Sequence, residues 1–324
     1  MSIRFIWIVM AVFSSVLDMI GNTPLLDVSA LSPNPAVRIL AKMEGQNPGG
    51  SVKDRIAKQM ILEAEEAGTL RPGSVIIEPS SCDTGIALAM ICRMRGYRLK
   101  IVLPESVSIE RRQMLEVYGA EIILSPGAEG SNGAVRRAQA LADEHPEWVF
   151  LYQYGNEANP RAHYETTGPE IWVDCPEITH FVAGLGTSGT LLGVGTYLKE
   201  QNPRIKVLAV EPPAGELVEG LRSLDDGYIP PVFDKWGGYD LLDGKSIVRP
   251  RESLEWTRAL TSVGVFAGIS AGAAMAGAVK QAAKLDGGTI VFIVSDYGWK
   301  YLSTGAWTLD LDEAAHNAEQ VIYF

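Results

Sequence analysis

The sequence predicts an α/β protein built on two mostly parallel sheets. Three observations carry this expectation. Short apolar runs alternate with helical patterns from about residue 37 onward. The glycine- and hydroxyl-rich loops fall where a strand gives way to a helix, which is where ligands bind in such folds. The 324 residues, 47% apolar and 21% charged, are enough for two domains or one large one with an ample core.

The elements follow in order. Val37–Lys42 reads as a strand. The next segment is a helix over Ile56–Gly68, because Ile56, Met60, Ile61 and Ala64 recur at helical spacing. Val75–Glu78 is a strand, Gly85–Gly96 a helix, Leu99–Leu103 a strand, Ile109–Gly119 a helix and Glu121–Leu124 a strand. Gly133–His145 is a helix, Val149–Gln153 a strand, and a helix lies near His163–Val173. Then come strand His180–Ala183, helix Thr190–Gln201, strand Lys206–Glu211, helices Arg251–Gly264 and Ala271–Leu285, and strand Thr289–Val294. Strands alternating with helices of this length mean βαβ units. The join between the two sheets is expected near Tyr154–Asn159. Glu211–Arg251 is rich in Pro, Gly and Asp and has no clear period, so it reads as a long functional or mobile loop.

Composition excludes several classes. A net charge of −11 with no basic run argues against nucleic acid and anionic membrane surfaces. Three cysteines, Cys82, Cys92 and Cys175, form neither a disulfide framework nor a zinc motif and fit a reducing cytoplasm. The four scattered histidines have no metal-ligand spacing. The apolar run Phe5–Phe13 is too short to span a bilayer, and residues 1–9 read as an upstream extension with Met10 as the start.

Four loops carry candidate chemistry. Asn47–Arg55 places Lys53 after a Pro/Gly-rich turn at the opening of a helix. The positive end of the helix dipole and burial would both disfavour the ammonium form, which suits a Schiff-base lysine. A solvated lysine in a helical first turn is the plainer alternative. Gly184-Leu185-Gly186-Thr187-Ser188-Gly189-Thr190 follows a strand and opens a helix, so its backbone N–H groups and hydroxyls form a phosphate cradle. Its glycine register also approaches a dinucleotide fingerprint, but no first βα unit begins there. Glu78-Pro79-Ser80-Ser81-Cys82-Asp83-Thr84-Gly85 suits a carboxylate ligand, with Asp83 alternatively a simple N-cap. Ser270, in Gly268–Ala273, either caps its helix or presents a hydroxyl to a ring nitrogen.

Taken together, these loops resemble the cysteine synthases, in order along the chain: Gly21-Asn22-Thr23-Pro24-Leu25, the Lys53 segment, the loop at 80–85, Gln153, the Gly186–Thr190 cradle and Gly268–Gly272. The resemblance spans about residues 14 to 308 and is closest to the CysM-like O-phosphoserine sulfhydrylase branch. Pointers to that branch include Ser108–Gln113, Leu221–Tyr228 and Gly298–Gly305. It implies a pyridoxal-phosphate enzyme of fold type II, tryptophan-synthase-β-like. Residues 10–41 and 154–324 would form the large cofactor-binding domain and 42–153 a small mobile substrate domain. Lys53 would hold the cofactor and exchange the proton at the substrate Cα. Asp83, Gly186, Thr187, Ser188, Gly189, Thr190 and Ser270 would meet the cofactor. Ser80, Ser81, Thr84 and Gln153 would bind the substrate carboxylate, and Arg222 a substrate phosphate. The implied reaction is β-replacement on an O-activated L-serine (O-phosphoserine or O-acetylserine) via an aminoacrylate, giving L-cysteine from sulfide or a carrier-protein thiocarboxylate. A cytoplasmic homodimer, an amino-acid substrate and a small sulfur-carrier protein as partner belong to the same expectation.

The chain departs from the family in one loop. Where the family has Gly-Asn, this sequence has Cys82-Asp83. An ionised Asp83 has no proton to donate and repels anions. It would have to be protonated, turned away or matched to a different ligand. Three readings follow: cysteine synthesis with a retuned site, the same chemistry with a non-sulfur nucleophile giving a diaminopropionate-type product, or a cofactor-binding relative with little catalysis. The short apolar tail Val321–Phe324 would shield the site or simply pack on the surface.

Overall fold

The computed structural model describes residues 12–80 and 83–320. The proposed extension at 1–9, the loop residues Ser81 and Cys82, and the tail at 321–324 lie outside the described residues. Among the described residues, ten strands form two sheets. They are β1 (Leu25–Asp27), β2 (Val37–Met43), β3 (Val75–Pro79), β4 (Arg98–Pro104), β5 (Glu121–Ser125), β6 (Val149–Phe150), β7 (His180–Gly184), β8 (Lys206–Glu211), β9 (Gly244–Ile247) and β10 (Gly288–Val294). One sheet has six strands in the order β1-β2-β10-β7-β8-β9, and the other four in the order β5-β4-β3-β6. Every pairing is parallel except that of β1 with β2.

The apolar runs explain the burial. β10 is buried from Thr289 to Val294, and β4 from Leu99 to Pro104. Strands covered on both faces need continuous apolar sequence. Around the four-stranded sheet, helices Lys53–Glu66 and Asp83–Arg95 pack Ile56, Met60, Ile61, Ile86 and Ile91 into a core that also takes in Leu17 and Ile20. Helix Ile269–Ala282, rich in Ala and Gly, lies close against the six-stranded sheet.

Several elements differ from the sequence expectation. β6 stops at Phe150, because Tyr152 adopts φ +54 and turns the chain away from the sheet. The helix expected near 163–173 begins at Ala158 and carries a π-helical segment over His163–Thr167 before resuming at Gly168–Asp174. Pro169, which has no N–H to donate, sits at the resumption. The aperiodic stretch 212–250 contains helices Pro231–Lys235 and Gly238–Leu241 and the edge strand β9. The four residues of β9 alternate between half-buried and exposed, leaving too little apolar signal to read.

Helix Lys53–Glu66 is fastened to the six-stranded sheet by a buried charge network. The Arg55 guanidinium forks onto Glu44 on one side (2.7 and 2.8 Å) and Glu170 on the other (2.7 and 2.7 Å). Lys42 joins Glu170 at 2.8 Å. Bidentate pairs of this kind fix orientation as well as charge.

Candidate active site

A cleft of about 380 Å³ lies between the two sheets. Its walls are the segments that follow the C-terminal ends of parallel strands: 52–53 after β2, Ser80, Asp83 and Thr84 after β3, 106–107 after β4, 153–154 after β6, 184–190 at the end of β7, 217–228 after β8 and Ser295 after β10. This is the expected place for a ligand in such sheets.

Lys53 is the first residue of its helix and lines the cleft. The preceding Val52 N–H donates to Ser295 O at 2.8 Å, so the lysine loop is pinned to the end of β10. Gly49 donates its N–H to Asp54 Oδ2 at 2.5 Å, closing the turn.

The cradle is built by close packing. A Cβ on Gly186 would come within 2.7 Å of the Gly220 backbone oxygen, and one on Gly189 would overlap the Asn159 side chain. Ser188 holds a left-handed backbone at φ +75, unusual for a residue with a side chain. Its hydroxyl is buried without a hydrogen-bond partner among the described residues. Asn159 Nδ2 donates to Thr187 Oγ1 (2.9 Å) and Gln153 O (2.8 Å). Thr190 Oγ1 meets His163 Nε2 at 3.1 Å. Burial, then the charges of Arg55 and Lys53, hold His163 well below the usual imidazole range, so the ring is neutral at pH 7. This wall contains backbone dipoles and hydroxyls and no charged side chain.

Ser270 lies at the second position of its helix, behind the N-cap Gly268, and its hydroxyl shares a 2.7 Å hydrogen bond with Ser295. It faces the cleft rather than capping the helix.

The opposite wall is cross-linked by its own hydrogen bonds. Thr84 Oγ1 donates to Gln153 Oε1 at 2.6 Å, Gln153 Nε2 donates to Pro79 O at 3.0 Å, and Gly85 N–H donates to Ser80 Oγ at 2.9 Å. Beneath them the Glu78 carboxyl accepts the N–H groups of Tyr152 (2.7 Å) and Gln153 (2.9 Å). Burial pushes Glu78 up to about 8. Arg222 lies against the rings of Tyr154 and Tyr228 (4.8 and 4.7 Å), which meet edge to face 6.0 Å apart, and reaches Asn132 Oδ1 at 3.2 Å.

Asp83 is neither turned away nor left alone. Its Oδ1 lies 2.5 Å from Lys300 Nζ, an ammonium that also donates to Gly50 O at 3.1 Å. Two further carboxyls lie in the same cluster. Asp54 is pushed up to about 7 by burial, with Asp83 and Glu44 adding to the rise. Asp296, which accepts Tyr301 OH at 2.6 Å, is pushed up to about 7 by burial and Asp83.

The structure therefore gathers Lys53, Ser80, Asp83, Thr84, Gln153, Gly186, Thr187, Ser188, Thr190, Arg222 and Ser270 around one cleft, with Gly189 in the cradle behind it. Sequence reasoning missed Glu78 as a clamp, Asn159, His163, Ser295 and Lys300. Lys300 had a signal, as the one charged residue of the motif Gly298–Gly305, but nothing in sequence paired it with Asp83. Cys92 and Cys175 are free and buried, and burial pushes both thiols up to about 12. No group of metal-binding side chains occurs among the described residues, and no described helix is long and apolar enough to cross a membrane.

Comparison with known proteins agrees with this geometry. Residues 16–296 match the pyridoxal-phosphate-dependent enzyme family. Cysteine synthase B from Salmonella typhimurium is 42% identical over 290 residues, covering 89% of this chain and 94% of that protein. A solved O-ureido-L-serine synthase superposes with a TM-score of 0.85 at 37% identity, covering 92% of this chain and 96% of that one. An O-acetylserine-dependent cystathionine β-synthase from Helicobacter pylori gives 0.85 at 35% identity, with 92% and 100% covered. With lysine, glycine-rich loop and cleft-facing serine in one cleft of this fold, the chain belongs to the pyridoxal-phosphate-dependent enzymes of the cysteine synthase family.

Proposed function

We propose that this enzyme performs β-replacement on an O-activated L-serine, with O-phosphoserine the preferred substrate and O-acetylserine an alternative, and that sulfide or a carrier-protein thiocarboxylate supplies the sulfur of L-cysteine. The observation that carries the reading is the cradle. The buried Ser188 hydroxyl has no partner among the described residues, and the neighbouring glycines pack too closely for any side chain. A phosphate at the start of helix Gly189–Gln201 would give that hydroxyl and the surrounding N–H groups their missing acceptor. The site thus fits pyridoxal phosphate.

When bound, the cofactor supplies the electron sink for chemistry at the amino acid's Cα and Cβ. The chain supplies the rest. Lys53 holds the cofactor and moves the proton at the substrate Cα. Gly186, Thr187, Ser188, Gly189 and Thr190 hold the phosphate. Ser270, kept in place by Ser295, would offer the pyridine nitrogen a hydroxyl, which cannot protonate it as a carboxylic acid would. Ser80, Thr84 and Gln153 bind the substrate carboxylate, together with Ser81 outside the described residues. Arg222 binds the leaving phosphate with a guanidinium that rests against two tyrosines. Residues 42–153 act as the mobile unit that closes the cleft, in a cytoplasmic homodimer.

A second reading is favoured by one observation. The Asp83–Lys300 pair replaces a neutral amide donor with a carboxylate in the cleft wall, which suits a nucleophile other than sulfide. Purified protein should be yellow, and O-phosphoserine should shift its visible band and release inorganic phosphate. Sulfide should then yield cysteine. No phosphate or acetate release from either activated serine would sink the assignment.

A further inference from the structure

We infer that Asp83, backed by Lys300, makes this wall of the cleft select a neutral amine as the second substrate in preference to an anion such as hydrosulfide. The inference rests on the β-replacement proposed above and takes the second reading of its nucleophile.

The argument is the order of the two charges. Asp83 lines the cleft, whereas Lys300 does not. The Lys300 side chain is 0% exposed and that of Asp83 13%. The ammonium therefore sits behind the carboxylate, and the negative end of the pair faces the ligand. Lys300 is held there by Gly50 O, and its own carbonyl accepts Ser108 Oγ at 2.9 Å. The pair is thus built into three segments rather than draped on a surface. A ligand about 4 Å from the carboxylate and about 6.5 Å from the ammonium feels mainly the carboxylate, and at an effective dielectric of about 20 the difference disfavours a monoanion by about tenfold. A carboxylate is also acceptor-only, so it rewards N–H and punishes a lone-pair donor.

The positive side of the cleft lies elsewhere. Arg222 and Arg111 line it, the latter paired with Glu219 at 2.9 Å, and they suit the anionic leaving group. Thr84 follows Asp83 on the helix, about 100° round its axis. The carboxylate-binding hydroxyl and the Asp83 carboxylate therefore serve different ligands. The exchange balances with an amine. The Cβ–O bond breaks with its electron pair leaving on phosphate, a Cβ–N bond forms from the amine lone pair, and one nitrogen proton passes to Asp83 and on to water.

The test is a competition. Holoenzyme is given O-phosphoserine with 2,2,2-trifluoroethylamine, which is neutral at about pH 7, and hydrosulfide together, and the amino-acid products are quantified. The wild type should favour the N-trifluoroethyl-diaminopropionate product, and Asp83→Asn should move the ratio about tenfold toward cysteine. A wild type making cysteine alone, or a ratio unchanged in Asp83→Asn, overturns the inference. Melting of cofactor-free protein tests the pair without turnover. Lys300→Met should lower the melting temperature, and Asp83→Asn added to it should recover most of the loss. A Lys300→Met variant melting like the wild type also overturns the inference. Absence of phosphate release in every variant instead defeats the proposed reaction, and the melting cycle still decides whether the pair exists.

Discussion

The two walls of the cleft face their ligands with different chemistry. The wall after β7 suits an anion without side-chain charge: glycines bring the backbone close, hydroxyls point inward and a helix starts beneath them. The wall after β3 is built on buried carboxyls, with Glu78 clamping two amides and Asp83 set against Lys300. A neutral wall costs little to bury and depends on shape. A charged wall depends on each partner being present, because removing one leaves an uncompensated buried charge. The first should therefore fail by steric insult and the second by loss of a partner.

Lys53→Ala strikes the point where the walls meet and should have the largest effect. Loss of the proton-transferring group should reduce turnover by roughly 10³-fold, with no protein-linked visible band in the purified variant. Retained turnover would mean that another amine serves the cleft. The neutral wall is tested next by Gly186→Val. Its added Cβ meets the Gly220 backbone oxygen at 2.7 Å, and backbone cannot swing aside as a side chain can. Overpacking of this kind costs about 1–3 kcal/mol, so the cofactor dissociation constant, read by fluorescence titration, should rise about tenfold. Ser188→Ala should weaken binding less, since the backbone donors remain.

The same contrast governs what could be read from sequence. The neutral wall was legible because its determinants are local. Gly184, Gly186 and Gly189 stand within one loop, after an apolar run and before a helical period. Lys53 was legible for the same reason. The charged wall is assembled across the chain: Asp83 and Lys300 are 217 positions apart, and Glu78 reaches residues 74 and 75 positions away. No period or spacing encodes such pairs. Asp83 taken alone predicted a conflict with anionic ligands, and only the fold showed where its counter-charge comes from. The long parallel strands were legible as apolar runs. The edge strands β1 and β9 were not, since three or four half-exposed residues carry no pattern.

Glu78→Gln tests the charged wall without touching the cleft surface. Two carboxyl oxygens accept two backbone N–H groups, whereas an amide offers one oxygen and turns an NH₂ toward the other donor. A buried N–H left unsatisfied costs about 1–3 kcal/mol. The urea midpoint should fall accordingly, and KM for the amino acid should rise more than kcat falls, because Gln153 hangs from the clamped peptide. Equal loss in both would mean that Glu78 supports the fold alone.

The smallest effect expected, and the most specific to the charged wall, is a pH dependence from Asp54. Its carboxyl is pushed up to about 7 in the folded protein, chiefly by burial, against about 3.9 in an unfolded chain. Between those values the folded state keeps a proton that the unfolded state has lost. Stability from this group is therefore present at low pH and declines as pH rises through the folded value, by about 1.4 kcal/mol between about pH 6 and pH 8. The Lys300 ammonium opposes the rise, while Asp83 and Glu44 reinforce it. Asp54→Asn keeps an oxygen for the Gly49 N–H and removes the titration. Urea midpoints measured across that range should fall with pH in the wild type relative to the variant. Parallel curves would mean that Lys300 serves Asp54 as fully as it serves Asp83, and the cluster would then hold two carboxylates on one ammonium rather than one.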